Sequence, residues 1–249
     1  MKEKDDVFKK FQDSFGRMEG HFHILEQRIP MGLQMEYFKY SEKIKKEARV
    51  LTDAECDAFQ EDLSDEKLDM ESKKLILSVL GSSRKVKAYR ILEDYAKHPS
   101  EDVVDWSHMA LMESRIMLES ELSDEKQIYI STGLGGRDEK LRFYILLTSV
   151  GRKPFEEYQR KVIEREFIYS LPQSDCEIER LTIAEQYVEL LFLVPIRSDF
   201  KRVLDMIINE CNQYGNFLSE IFTITNVKEL SEEEIQTILN KNGDNQTGH

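Results

Sequence analysis

Positive charge, cysteine and catalytic signatures are all scarce in this chain of 249 residues. Its 35 lysines and arginines face 48 aspartates and glutamates, a formal net charge of −13. That balance attracts neither a nucleic-acid backbone nor an anionic membrane, so neither is expected among the partners, and a protein partner would be basic. The three cysteines, Cys56, Cys176 and Cys211, are far apart and form no C-x-x-C pair. This argues against a disulfide framework or a zinc site and points to reduced thiols in the cytoplasm. No apolar run approaches the roughly 20 residues that span a bilayer. The opening Met1-Lys2-Glu3-Lys4-Asp5-Asp6 places acids where a signal peptide needs an unbroken basic region. Ser/His/Asp order, P-loop and metal-ligand spacing are missing, and after His108 the only histidine is His249. Glu164 and Glu166 are two apart on a helix and do not face each other. No catalytic residue, cofactor or metal is therefore expected, and the chain is expected not to be an enzyme. His21-Phe22-His23 puts two imidazoles on one side of an extended stretch beside Glu19 or Glu26, but spacing locates no third ligand.

What is present has two halves. Residues 1–32 read as a weakly ordered preface in which Val7, Phe8, Phe11 and Phe15 share one helical face. Residues 33–122 read as helical throughout. Tyr37, Tyr40, Ile44, Ala48 and Leu51 recur at three and four residues. Thr52-Asp53-Ala54-Glu55 is a capping box. Leu68, Leu75, Leu77 and Leu80 lead to Gly81, placed where a left-handed C-cap is favoured. The helix over 101–122 carries Trp106, expected to pack between domains, and Met109, Met112 and Met117, expected in a core. Leu77-x-x-Leu80-Gly81, Ala88, Leu92, Tyr95, Pro99, Asp102-Val103-Val104 and Ala110-Leu111 together resemble one HEAT-type helical hairpin over about residues 72–118. The resemblance implies an array of paired helices and an extended protein-binding surface.

The second half, residues 127–240, begins with two alternating runs, 128–130 and 141–147, joined through Gly133, Gly135 and Gly136. This predicts a hairpin with a wide turn. The same glycine N–H groups, with Arg137 and Arg142, offer an alternative, a nest for an anion. After Leu141 the order is β-α-β-β-α-β, which resembles the ferredoxin-like arrangement of ACT-type domains. In that arrangement both edges of the first strand are occupied, so 128–131 either lies outside the sheet or makes a five-stranded variant. The run 177–183 alternates and has one wet face, whereas 187–194 turns continuously apolar and belongs mid-sheet. Residues 209–216 are dense in amides. Asn209, Asn212, Tyr214 and Asn216 are candidate ligand-binding residues, should that helix end meet the glycine turn, and otherwise serve as caps. Residues 241–249 read as a disordered tail.

The expectation is thus an α+β protein, a HEAT-like helical array followed by a ferredoxin-like domain with an extra hairpin strand. Its expected role is a non-catalytic protein-interaction or scaffold module, with homodimerisation open. The alternative is an ACT-like sensor of an anionic metabolite.

Overall fold

A computed structural model describes residues 21–47, 50–122 and 127–244. The expectations for 1–20 and 245–249 fall outside them, as do Glu19, Ala48 and the side chain of His21. The chain is α+β, a run of helices followed by a mainly antiparallel sheet with interspersed helices. Contacts divide it between residues 131 and 132. Among the described residues no helix is long and apolar enough to cross a membrane.

The helical unit opens with strand β1 (His21–Ile24), followed by α1 (Met31–Glu47), α2 (Asp53–Leu63), α3 (Met70–Ser82), α4 (Val86–Tyr95) and α5 (Val104–Leu122). Its last element is β2 (Gln127–Ile130), which pairs with β1 in parallel. The box ahead of α2 forms as its residue types dictate: Glu55 N–H donates to Thr52 Oγ1 at 3.2 Å, and Thr52 N–H donates to the Glu55 carboxylate at 2.7 Å. Tyr37, Leu77, Leu80, Leu92 and Met109 fill the core. Trp106 lies in this same core rather than between domains. Tyr37 and Tyr40 meet it edge-on at 5.1 and 5.5 Å, and its indole N–H donates to Ser78 Oγ at 2.9 Å. A buried indole needs that partner, so the hydroxyl on α3 fixes the orientation of α5.

Gly81 departs from expectation. Helix α3 continues through it to Ser82, and Gly81 is not among the glycines with positive φ. A methyl group there would lie 2.8 Å from Tyr37 Oη and 3.0 Å from the Ala110 carbonyl oxygen, so glycine is required for close helix approach. Gly81→Ala is expected to destabilise the helical unit by about 1–3 kcal/mol, read as a lower urea midpoint with an unchanged slope.

The second unit contains β3 (Gly136–Arg137), β4 (Lys140–Ser149), α6 (Glu157–Gln173), β5 (Glu177–Ile183), β6 (Tyr187–Pro195), α7 (Phe200–Asn212), β7 (Leu218–Thr225) and α8 (Glu232–Asp244). Strand β6 lies along one edge of β4, and β5 lies outside β6. The other edge of β4 takes β7 over 144–149 and the short β3 at 140–141. The expected hairpin between 128–130 and 141–147 does not form. Run 128–130 is committed to β1, and the hairpin partner of β4 is the two-residue β3. Alternation showed that both runs were strands but could not choose their neighbours.

Both faces of β4 are covered. Phe143 and Phe192 pack against Phe200 of α7, with Phe143–Phe200 centroids 5.0 Å apart. On the opposite face Tyr144, Leu146 and Leu191 pack with Leu134 and with Ile235 and Leu239 of α8. This double cover accounts for burial at every position of β4 from Leu141 to Ser149.

Candidate functional site

The residues proposed from sequence as a ligand site do not come together. Residues 132–136 pack against the chain leaving β7. A methyl group at Gly133 would fall 1.9 Å from the Val227 carbonyl oxygen, and Leu134 N–H donates to the Asn226 carbonyl at 3.0 Å. Gly135 has a φ of 66°. Its N–H donates to the Thr132 carbonyl and its own carbonyl accepts from Arg142 N–H. Gly136 pairs with Leu141.

Arg137 pairs with Glu177, and Arg142 grips Glu179 with two donors while donating to the Leu134 carbonyl at 2.6 Å. The two arginines are therefore committed to the sheet's own carboxylates. The amide-rich segment lies at the far end of β4, because Leu218, just beyond it, pairs with Ser149. There Asn212 caps, its carbonyl oxygen accepting from Phe217 and Leu218 N–H groups. Tyr214 lies under Arg165, 5.6 Å from the ring centroid, while Asn209 and Asn216 are exposed. About eight residues of extended strand, roughly 26 Å, separate the two ends.

A different set does converge, within the helical unit. His108, Met112, Arg115 and Glu119 recur at intervals of four, three and four, so they share one face of α5. The parallel register of β1 and β2 places His23 beside Tyr129, and their rings stack at 4.6 Å with 15° between planes. With Tyr89 of α4, the side chains of His23, His108, Met112, Arg115 and Tyr129 line an open cavity of about 240 Å³ bounded also by residues 24–27. Glu119 lies next to it, anchoring the rings. Its carboxylate accepts from Arg115 Nε at 2.8 Å and from the Tyr129 hydroxyl, and it pairs with His23 Nε2 at 3.1 Å.

Burial pushes the Glu119 carboxyl up, but Tyr129 and Arg115 outweigh it and hold the group below the usual carboxylate range. Burial first, then the Glu119 carboxylate, raises the Tyr129 phenol far above its ordinary value, so Tyr129 stays a donor. Burial lowers the His108 imidazole against the opposing pull of Asp105, so its ring is neutral at pH 7. Arg115 retains two terminal amino groups that bond no described residue, and no described residue hydrogen-bonds the His108 ring.

The arrangement supplies a fixed guanidinium, a neutral imidazole that no described residue engages, and a flat aromatic pair at one opening. Reading by periodicity did not find it, because its parts come from β1, α4, α5 and β2. The two-residue spacing of His21 and His23 is the one signal visible in the sequence, and it locates no further member of the site. Among the described residues no cluster of three or more metal-ligating side chains occurs.

No family model matches the chain, and no curated protein does. Among solved structures it is similar to a provisionally assigned transposase from Deinococcus radiodurans R1, at 18% identity and a TM-score of 0.36, over 43% of this chain and 94% of that one. It is also similar to a REP-associated tyrosine transposase bound to a REP hairpin, at 12% identity and a TM-score of 0.33, over 47% and 68%.

These findings overturn the HEAT-type and ACT-type resemblance, since neither structure is described as either. They also displace the non-catalytic scaffold, the anionic-metabolite sensor and the non-enzyme expectation, because both are described as transposases. The partner expectation, a basic protein or second copy without nucleic acid or membrane, falls with them where it excludes nucleic acid, since one structure is described as bound to a REP hairpin. The physical reasons are plain. Small residues and a proline between paired helices mark any close helical hairpin. A net charge governs long-range attraction and leaves a local pocket of opposite character undecided. At this level of likeness no activity, substrate or site residue passes from those proteins to this chain.

Proposed function

We propose that the cavity beside His23, His108 and Arg115 is an acid–base site for a phosphate ester, with a nucleotide at a single-stranded end as the substrate class. The convergence of an unengaged neutral imidazole and a guanidinium on one 240 Å³ opening supports this assignment. Arg115 meets the phosphate through its two terminal amino groups. The His23–Tyr129 stack offers a face for a base or sugar. His108 accepts the proton of the attacking hydroxyl or water as the ester P–O bond breaks, and returns it to the departing alcohol oxygen. The cavity falls below the roughly 300 Å³ of a pocket that encloses a whole drug-sized ligand, so one nucleotide enters and the rest of the strand stays outside.

Hydrolysis of bis(p-nitrophenyl) phosphate and of end-labelled single-stranded DNA and RNA tests this. His108→Ala is expected to lower kcat about a hundred-fold or more. Arg115→Met is expected to act mainly on KM. His108 is flanked by Asp105 and Arg115 on its own helix, by Tyr89 from α4, and by His23 and Glu26 from the β1 side. Because burial lowers its proton affinity, the rate should fall on acidification only below about pH 6.5, the ordinary imidazole value. Folded wild-type protein that neither binds nor turns over any member of this panel would remove the proposal.

We propose further that the two units divided near residue 131 are separate domains. The order β7-β4-β6-β5, with a helix in each crossover, supports a ferredoxin-like reading of the second. Three unpaired, buried cysteines support a reducing, cytoplasmic setting.

A further inference from the structure

A second cavity of about 540 Å³ opens in the helical unit, away from the residues assigned above, along α3 between α1 and α2. Its floor is apolar: Ile44, Phe59, Leu75 and Val79, with Leu75 left 46% exposed. At the C-terminal end of α3 the lining changes to Ser82, Ser83, Arg84 and Lys85. Lys85 is engaged by Asp53 at 2.6 Å, and Ser83 Oγ accepts from Lys85 N–H. Arg84 is exposed and makes no hydrogen bond or ion pair with a described residue. Among the described lining residues, the groove therefore runs from hydrocarbon to one uncommitted guanidinium.

We propose that this groove binds a medium-chain carboxylate, its alkyl chain over Leu75, Val79 and Phe59 and its carboxylate on Arg84. Charge decides the head group, because a cationic or neutral head would leave Arg84 unused. Length decides between a free acyl chain and a docked helix. Leu75 and Ser82 are seven residues apart on one helix, so the groove is roughly 10 Å long from its apolar end to its polar end. That is about the span of an eight- to ten-carbon chain, whereas a stable helical ligand needs a groove nearer 18 Å, some 12 residues.

Calorimetric titration of the full-length protein with decanoate, below its micellar concentration, tests the assignment. Saturable 1:1 binding is expected, about ten-fold weaker in Arg84→Gln. Binding should be lost in Leu75→Glu, a substitution tolerated structurally because Leu75 is partly exposed, which a melting curve checks. Decanol should bind about as weakly as decanoate binds the Arg84→Gln protein. Three results would overturn the proposal: no saturable binding, equal affinity for decanol and decanoate, or undiminished binding by Leu75→Glu. A concentration-dependent dimer lost in Leu75→Glu, with no decanoate uptake, would assign the groove to a second copy instead.

Discussion

Replacing Gly133 by alanine is expected to cost the sheet unit about 4 kcal/mol, at the upper end for single substitutions, and to lower its melting temperature by roughly 15 °C. The added methyl would sit 1.9 Å from the Val227 carbonyl oxygen and 2.8 Å from its carbonyl carbon, so the obstacle is backbone and cannot rotate aside. Nor can the two segments separate cheaply. Leu134 N–H is bonded to the Asn226 carbonyl, Leu134 is 4% exposed in a core with Tyr144 and Leu191, and its own carbonyl is held by Arg142. Moving the turn outward would break this set together, leaving buried donors and acceptors without partners. Gly32→Ala is the control. No atom lies within 4 Å of the added methyl in the first turn of α1, and alanine is the better helix former, so stability should stay level or rise by up to about 1 kcal/mol. Hydrogen exchange of the β4 and β6 amides reads the difference. Wild-type protection in Gly133→Ala would show that the turn is free to move.

Gly133 also marks the limit of what the residues disclosed. Three glycines within four positions signalled a turn, and a turn is there. Each glycine has its own cause: close approach at Gly133, a positive φ at Gly135, strand pairing at Gly136. Features set by near neighbours were legible, among them the Thr52–Glu55 box, and a second between Ser231 and Glu234 in which the serine N–H meets the glutamate at 2.9 Å. The apolar run of β6 likewise marked an inner strand. Features set by distant partners were not. Residues 128–130 alternate as a strand should, yet their partners, residues 22–24, lie 106 positions upstream. His23 and Glu119, or Tyr37 and Glu113, carry no mutual signal in composition or period, because side-chain pairing across elements leaves no spacing to read. The cavity beside His108 was hidden for the same reason.

Glu113 supplies the second large effect. It lies on α5 at 3% exposure and would cost a great deal unpaired, but three groups of α1 reach it. Tyr37 Oη donates to one oxygen at 2.6 Å, Ser41 Oγ lies 2.7 and 2.8 Å from the two oxygens, and Lys45 Nζ is 2.6 Å away. Burial foremost, and then the Glu113 carboxylate, pushes the Tyr37 phenol well above its ordinary value, so the hydroxyl remains a donor throughout the working pH range. Glu113→Ala removes the common acceptor. Lys45, 39% exposed, can turn to water, but Tyr37 is fully buried and cannot. A cost of about 3–5 kcal/mol is expected, most of it the orphaned hydroxyl and the cavity. Glu113→Gln should cost less, about 1–3 kcal/mol, because one acceptor survives while the new amide faces donors. Adding Tyr37→Phe to Glu113→Ala should restore part of the loss, since the orphaned donor is then gone. The emission of Trp106, the single tryptophan, reports unfolding of this core directly because Tyr37 packs against it. If Glu113→Ala cost under 1 kcal/mol, or if Tyr37→Phe deepened the loss, the carboxylate would not be what binds α1 to α5.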